Sequence, residues 1–306
     1  IGFESSGHHN SSVFGDELIA GGFIQNFSFF SILFYFFLLK NKKNIWLILL
    51  MPLIYFLGVG ILFSGNKMPL IMFFFGLLLL FLVISKLRTV LASTVIILLL
   101  SITYIGSFDN RIKSVYEPIF SYFEYTKPIL NEILLPSKDQ ATVTTDSKEN
   151  RTWGHAKLFA TAIDTWKKNK IFGNGIKSFR EDCWKLAGPD VNLGETLLPG
   201  KKNRICSNHP HNYYFEILTE TGIIGLVITF IIASLFIVFI FKNFKFFKQV
   251  TIKNFILLSA TISLILEMLP LKSTGSLFTT NNATYLVLIS SIVLSHKMLT
   301  EVNNSR

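Results

Sequence analysis

Apolar runs separated by short polar stretches occupy most of the chain, and only one polar segment is long. A helix needs about 20 mainly apolar residues to cross a bilayer. Seven runs reach or approach that length, the last two being short: about 19–39, 45–63, 68–84, 90–105, 223–241, 255–269 and 283–294. The pattern predicts an all-α polytopic integral membrane protein with about seven transmembrane helices in this chain.

The long polar segment divides the chain into three parts. We expect residues 1–105 to form an N-terminal membrane part with four spans and 106–211 to form one large loop. Residues 212–306 then form a C-terminal membrane part with three spans. Within the loop, apolar positions repeat at helical spacing from His155 to Lys170, as on one face of an amphipathic helix. The loop is therefore predicted to be mainly helical.

Lysine and arginine are distributed unevenly between the short loops. The loops after the first, third and fifth runs and the C-terminal tail hold eleven, whereas the short loops on the other side hold only Lys67 and Lys272. By the positive-inside rule the large loop lies outside, which is the periplasm of a Gram-negative cell. The net charge is +10, but the short basic clusters follow the ends of apolar runs. They indicate a lipid bilayer as partner and argue against nucleic acid.

Residues 208–225 join the large loop to the fifth apolar run. Pro210 disfavours helix at the preceding residue, and Asn212 is a good cap for a helix that begins at Tyr213. His211 therefore lies where water meets the membrane, and a histidine there titrates near neutral pH. The pair His211-Asn212 is followed by nine residues and then by Gly222-Ile223-Ile224-Gly225. This spacing is the most specific signal in the chain.

At these residues the chain resembles the superfamily of O-antigen ligases and O-antigen polymerases, which are bacterial envelope glycosyltransferases. The superfamily has a His-Asn pair, nine residues and a Gly-x-x-Gly pattern at the end of a large periplasmic loop. Further stretches resemble its members: Phe14–Gly21, Arg151–Trp153, Phe172–Gly175, Pro270-Leu271 and Gly275–Phe278. Members usually have more spans, and the first residue is Ile1. We therefore expect that an N-terminal part is missing.

The resemblance implies an integral glycosyltransferase of the bacterial inner membrane. It would transfer a glycan from undecaprenyl diphosphate to an acceptor, the lipid A core for a ligase or another carrier-linked repeat for a polymerase. It also implies inversion at the anomeric carbon without a metal or another cofactor, and the sequence has no Asp-x-Asp motif. We expect the ligase, with the polymerase or a protein O-glycosyltransferase of similar architecture as the alternative. If the protein were a transporter of the same lipid, we would expect charged residues inside the spans, and only Glu267 occurs there. A purely structural membrane scaffold is the third possibility.

His211 is the candidate catalytic residue, a general base that takes a proton from an acceptor hydroxyl. The competing interpretation is a helix-entry residue that is hydrogen-bonded to the loop. A third interpretation makes His209 and His211 half of a zinc site, completed by His155 or Cys206. No metal-ligand spacing in the sequence completes that set.

Four basic residues are candidates for binding the carrier diphosphate: Lys67, Arg151, Arg180 and Arg204. Lys67 is placed at a helix N-terminus, where free N–H groups and the helix dipole already favour anions. Many members of the superfamily have arginine at this position. Lysine keeps the positive charge, but it cannot make the two parallel hydrogen bonds that a guanidinium offers to a phosphate. For each of the four, the competing interpretation is a solvated surface charge.

The supporting candidates are Asn212, Glu220, Gly222 and Gly225. Glu220 lies one turn after Glu216, and these carboxylates either orient His211 or face water. The two glycines are expected to permit close helix packing, as small residues do in membranes.

The chain has only two cysteines, Cys183 and Cys206, which are twenty-three positions apart in the predicted periplasmic loop. Because that compartment is oxidising, we expect them to form a disulfide. Closing such a loop contributes roughly 3 kcal/mol of stability in the chain-entropy account.

Overall fold

The computed structural model describes residues 5–6, 9–10, 19–42, 44–110, 112–113, 154–186, 206–242, 251–270, 272 and 275–304. Within these ranges the fold is helical, apart from an antiparallel pairing of β1 (Ser5–Ser6) with β2 (His9–Asn10). The α-helices in these ranges are α1 (Ala20–Leu39), α2 (Leu50–Phe63), α3 (Lys67–Val83), α4 (Arg88–Phe108), α5 (Gly154–Trp166), α6 (Phe179–Lys185), α7 (Tyr213–Lys242), α8 (Ile252–Glu267) and α9 (Thr280–Asn304). Short 3-10 turns precede α2 at Asn44–Leu49 and α4 at Ser85–Leu87.

Four helical segments of the described chain are long and apolar enough to span a membrane. They are Ala20–Leu39, Ile45–Phe63, Ser85–Phe108 and Tyr213–Lys242. The helices α3 and α8 are also apolar, but they have only 17 and 16 residues, fewer than the roughly 20 that a full crossing needs. The predicted all-helical membrane architecture is thus present, and four of the expected spans, of about seven, meet the criteria of length and composition.

The chain divides into two compact units. Unit 1 comprises Ile1–Phe123, Phe239–Met268 and Leu286–Arg306, and unit 2 comprises Glu124–Val238 and Leu269–Tyr285. Unit 2 therefore contains α5, α6, most of α7 and the turn that precedes α9.

Apolar side chains of α1 form the centre of unit 1. Phe29, Ile32 and Phe36 are fully buried, and α1 packs on α2, α3 and α8. The ring of Phe29 lies so close to Gly76 of α3 that a Cβ there would overlap it. Ser259 of α8 also donates a hydrogen bond of 3.2 Å to the Phe29 carbonyl. The apolar positions of α1 are thus used for packing between helices.

Unit 2 has a small core of its own. Its buried members come from α5, α6 and the segment before α7: Leu158, Ala162, Phe179, Cys183 and Cys206. Cys183 and Cys206 form the disulfide that the sequence predicted, with their Cα atoms 5.8 Å apart, which is an ordinary separation for such a bond. Phe159 of α5 stacks on Phe215 of α7, with ring centroids 4.7 Å apart. The core therefore links the amphipathic helix α5 to the start of α7.

The helix α7 is broken at Gly222, where φ is 68° and ψ is −166°. The break separates a polar first segment, Tyr213–Thr221, from the apolar run Ile223–Phe241, whose only polar residues are Thr229 and Ser234. Only the second segment has the composition of a membrane span. Glu216 and Glu220 therefore belong to the entry segment and precede the membrane-spanning part.

Candidate active site

Asn212 fixes the start of α7 with both ends of its side-chain amide. Its Oδ1 accepts from the backbone N–H groups of Tyr214 at 3.0 Å and Phe215 at 3.3 Å, which is the capping geometry expected from the sequence. Its Nδ2 donates to the carbonyls of Pro270 at 2.7 Å and Lys272 at 3.1 Å. Asn212 is buried, so this one residue joins the helix start to the turn that follows α8.

His211, next to this cap, has the left-handed backbone angle φ 54°. Residues other than glycine rarely adopt this conformation, and it persists where the surroundings impose it. Its Nε2 lies 3.5 Å from Oγ of Ser207, and its ring centroid lies 4.2 Å from that of His209. His211 is partly exposed. The backbone thus holds this residue in a defined conformation without burying it completely.

Glu216 and Glu220 hold two different loops against the entry segment of α7. Glu216 accepts from the Ser276 hydroxyl at 2.5 Å and from the Leu277 N–H at 2.6 Å. Glu220 accepts from the Lys177 N–H at 2.5 Å. Both carboxylates are almost fully buried, with only 2% of each residue exposed. They do not face water, as one interpretation of the sequence had it, and their hydrogen bonds go to loops.

Burial raises the pKa of both carboxylates, because it removes the water that stabilises the charged form. It raises the pKa of Glu220 to about 7, and the nearby Glu216 carboxylate adds to the effect, whereas the backbone donors of Lys177 and Phe179 oppose it. Burial likewise raises the pKa of Glu216, against the hydrogen bonds from Ser276 and Leu277. The positive charge of Arg180 favours the ionised form of each.

The turn formed by residues 170–175 inserts into the break of α7. An unbroken helix would join Ile223 N–H to the Thr219 carbonyl and Ile224 N–H to the Glu220 carbonyl. Here Asn174 and Gly175 donate to those carbonyls at 3.0 and 2.9 Å. The two freed N–H groups donate instead to the carbonyls of Lys170 at 3.0 Å and Ile171 at 3.4 Å. The turn thus replaces the missing helical hydrogen bonds, as buried backbone groups require.

Two glycines make this insertion sterically feasible. Gly222 and Gly173 both have positive φ, 68° and 71°. A Cβ on Gly222 would lie 2.5 Å from the backbone nitrogen of Gly173 and would overlap the carbonyl oxygen of Ile171. A Cβ on Gly173 would lie 2.5 Å from the nitrogen of Gly222. The two backbones therefore touch directly, and neither position has room for a side chain.

This corrects the expectation that Gly222 and Gly225 permit close packing between helices. Gly222 lies at a break in the helix and contacts a turn of the large loop. A Cβ on Gly225 would overlap the Thr221 hydroxyl of its own helix, and Thr221 donates to the Ile217 carbonyl at 2.7 Å. Gly222 therefore forms the break of α7, whereas Gly225 leaves space for the Thr221 side chain of the same helix.

A family model described as O-antigen ligase matches residues 52–230 of the chain. The matched region begins in α2 and ends in α7, so it contains Lys67, Arg180, His211 and the whole of the broken entry segment. The chain belongs to the O-antigen ligase family. No curated protein and no solved structure matches it. The resemblance drawn from the motifs is thereby confirmed, and this family member is a membrane glycosyltransferase of the ligase and polymerase type, with a place in lipopolysaccharide biosynthesis.

Of the four predicted diphosphate ligands of this O-antigen ligase family member, Arg180 lies in the same unit as His211. It is exposed on α6, and the Cys183–Cys206 disulfide ties α6 to the segment that leads into His211. Lys177, also exposed and with φ 61°, precedes the same helix. Arg151 and Arg204 lie outside the described residues, so their roles stay predictions.

Lys67 begins α3, as the sequence predicted. The turn before it is fastened to α1, because the Asn66 side chain accepts from the Gly21 N–H at 3.2 Å. A Cβ on Gly21 would lie 2.8 Å from the same Asn66 oxygen, so the glycine permits this contact. Lys67 belongs to unit 1, and its convergence with Arg151 on one diphosphate stays a prediction.

The zinc interpretation loses one of its proposed ligands. Cys206 is oxidised to the disulfide, and zinc is held by a cysteine thiolate. Among the described residues no three His, Cys, Asp or Glu side chains converge as metal ligands would. The side chain of His155, the other proposed ligand, lies outside the described residues.

The structure adds functional residues that sequence reasoning did not assign. Glu216 receives its hydrogen bonds from Ser276 and Leu277, sixty and sixty-one positions along the chain. The stretch Gly275–Phe278 resembles the superfamily, but no role followed from its sequence. The contact between Phe172–Gly175 and the break at Gly222 was likewise not predicted, although both stretches resemble the corresponding motifs of the superfamily. A glycine within an otherwise helical run was the available signal.

Proposed function

We propose that this protein is a metal-independent, inverting glycosyltransferase of the O-antigen ligase type. It transfers a glycan from undecaprenyl diphosphate to the lipid A core at the periplasmic face of the bacterial inner membrane. The observation that carries the proposal is the rigid support of His211 beside the membrane-entry segment, in a chain that belongs to the O-antigen ligase family.

His211 acts as the general base in this mechanism. An acceptor hydroxyl gives its proton to the imidazole while its oxygen attacks the anomeric carbon, and the bond from that carbon to the diphosphate oxygen breaks. A single displacement of this kind inverts the anomeric configuration. General-base assistance is typically worth about a hundred- to ten-thousand-fold. The Asn212 hydrogen bonds support this role, because a base must be held in a fixed geometry to contribute.

The basic residues stabilise the departing diphosphate. Positive groups aimed at developing negative charge lower the barrier, and they do so best when they are already in position. Arg180 meets this requirement in part, because α6 is fixed by the disulfide and by the contacts of unit 2. We assign the same role to Lys67 at the start of α3, and to Arg151 and Arg204.

The location proposed for the reaction follows from the charge pattern. Eleven Lys and Arg residues lie in the loops and tail that we assign to the cytoplasm, and two lie in the short loops on the other side. The large loop then lies in the periplasm. The carrier-linked glycan reaches His211 from the outer leaflet of the bilayer, and the acceptor reaches it from the same side.

The polymerase and the protein O-glycosyltransferase use the same donor, so the acceptor distinguishes them. The decisive experiment deletes the gene in its host and identifies the glycan that accumulates on the carrier lipid. A ligase predicts long carrier-linked polymer and lipid A core without polymer. Single carrier-linked repeats would identify a polymerase instead, and an unmodified protein acceptor with normal lipopolysaccharide would identify the protein-directed enzyme. Complementation with the intact gene is the control.

A further inference from the structure

A basic cavity lies in unit 1, far along the sequence from His211, the proposed catalytic base. Its volume is about 450 Å³. The end of α1 contributes Phe36, Lys40 and Asn41, and the junction of α3 with α4 contributes Leu82, Lys86 and Arg88. Three cations from two separate elements therefore line one cavity.

The described residues that line the cavity include no acid, and the sequence contains no Asp or Glu between Glu17 and Asp109. The basic side chains are also placed by local contacts. The Arg88 Nε donates to the Phe81 carbonyl at 3.1 Å, and the Lys40 ammonium lies 4.3 Å from the centroid of the Phe37 ring. An anionic group is the complementary ligand.

The helix α4 begins at this cavity and adds to its positive potential. The 3-10 turn Ser85–Leu87 leads directly into this helix, and the Arg88 N–H donates to the Ser85 carbonyl. The helix dipole favours an anion near the N-terminus. This potential has the same sign as the charge of Arg88 at the first position of α4.

The surroundings of the cavity are apolar on the side of the helices. Leu38 and Leu82, next to the cationic residues, have 53% and 56% of their surfaces exposed. They belong to the helices α1 and α3, whose residues are mainly apolar. A ligand that joins a negatively charged group to hydrocarbon chains fits both features at once. Basic pockets between transmembrane helices bind lipid phosphate in this way.

We propose that this cavity binds the phosphate headgroup of an anionic membrane phospholipid, whose acyl chains lie along the apolar faces of α1 and α3. The phosphate contacts Lys40, Lys86 and Arg88. The site is separate from the glycosyl-transfer chemistry and does not depend on it. The positive-inside pattern alone would place the same charges on one side of the membrane, so the test must separate a pocket from a general excess of charge.

The test measures phospholipid binding to the purified, delipidated protein in detergent. The probes are dioleoyl phosphatidylglycerol, dioleoyl phosphatidylcholine and water-soluble glycerol 1-phosphate, and native mass spectrometry reads out the bound lipid. Each basic residue near anionic lipid is worth about 1 kcal/mol, or about fivefold in affinity. We therefore expect Arg88→Gln and Lys40→Gln each to weaken phosphatidylglycerol binding about fivefold. Lys42→Gln is the matched control, because Lys42 carries the same charge close by but does not line the cavity.

Three results would overturn the proposal. The first is equal binding of phosphatidylcholine, since the phosphate would then contribute no selectivity. The second is an equal loss in Lys42→Gln, because total charge rather than the cavity would then decide binding. The third is full displacement by glycerol 1-phosphate at equal concentration, which would assign the cavity to a soluble phosphate ester. If a variant does not fold, the comparison of the three probes on the unaltered protein still decides the matter.

Discussion

Replacing Gly222 with alanine tests the insertion of the 170–175 turn into α7. Gly222 has φ 68° and ψ −166°, a combination that is essentially confined to glycine and costs other residues about 1–3 kcal/mol. The added Cβ would also meet the backbone of Ile171 and Gly173, with Gly173 N at 2.5 Å. Because backbone atoms cannot rotate away as a side chain does, we add about 1–3 kcal/mol for overpacking.

The sum is a destabilisation of about 2–6 kcal/mol, which is large against the 5–15 kcal/mol that stabilises a typical domain. We expect the thermal unfolding midpoint of the purified Gly222→Ala protein in detergent to fall by about 5 °C or more. The turn should also become more accessible to protease, because its hydrogen bonds to Thr219 and Glu220 cannot form with the turn displaced.

Two other glycines separate the causes of this effect. Gly175 has φ 102°, but no atom lies within 4 Å of the position that a Cβ would take, so Gly175→Ala measures backbone strain without overlap. Gly22 also has free space and no positive φ, and it lies within the helix α1, where alanine is preferred by about 1 kcal/mol. We expect a large loss of stability for Gly222→Ala, a smaller one for Gly175→Ala and none for Gly22→Ala. Equal effects at Gly222 and Gly175 would refute the close approach of the two backbones.

Three further outcomes follow from the described contacts. The pKa of Glu220 is raised to about 7, so the folded state retains a proton that the unfolded chain releases near pH 4.5. The free energy of unfolding should therefore fall by about 3 kcal/mol as the pH rises through this interval. Glu220→Gln, which keeps an acceptor for the Lys177 N–H, should flatten this pH dependence of the melting temperature. Asn212→Ala removes a helix cap and leaves the carbonyls of Pro270 and Lys272 without this donor. We therefore expect the free energy of unfolding to fall by about 2–3 kcal/mol. Asn212→Asp should keep the cap but lose the two donated hydrogen bonds. Lys67→Arg should retain transferase activity and Lys67→Glu should abolish it in a complementation assay, because only the second reverses the charge offered to the diphosphate.

Local chemistry in the sequence was sufficient to predict several features of unit 2. Asn212 caps α7 because a short polar side chain after a proline segment satisfies the first free N–H groups. Cys183 and Cys206 were the only possible disulfide pair. The buried face of α5 follows from its apolar spacing, although the helix ends at Trp166 rather than at the expected Lys170.

Contacts between distant parts of the chain could not be predicted in the same way. A glycine inside an apolar run is equally consistent with a helix-packing position and with a break, and only the turn at 170–175 decides between them at Gly222. The sequence left open whether Glu216 orients His211 or faces water, because its donors, Ser276 and Leu277, are about sixty positions away. Such pairings depend on tertiary structure, which periodicity does not encode.

The apolar pattern placed the end of the third predicted span within one residue of the observed helix end. The run was predicted to extend to about Ile84, and α3 ends at Val83, where the chain becomes extended before a 3-10 turn leads into α4. A difference of one residue is within the ordinary uncertainty of a helix boundary. What the pattern did not decide is whether a helix of 17 residues crosses the membrane completely.

The role of His211 as the catalytic base is tested most directly by transfer assays on the purified protein with its carrier-linked donor and its acceptor. We expect His211→Ala to reduce the transfer rate by about a hundred- to ten-thousand-fold, with folding and carrier-lipid binding unchanged. His209→Ala should cost much less, because His209 precedes Pro210 and belongs to the loop, and a chelator should leave the rate unchanged. Equal losses in the two histidine variants, together with a rate that responds to zinc or to the chelator, would contradict the general-base mechanism.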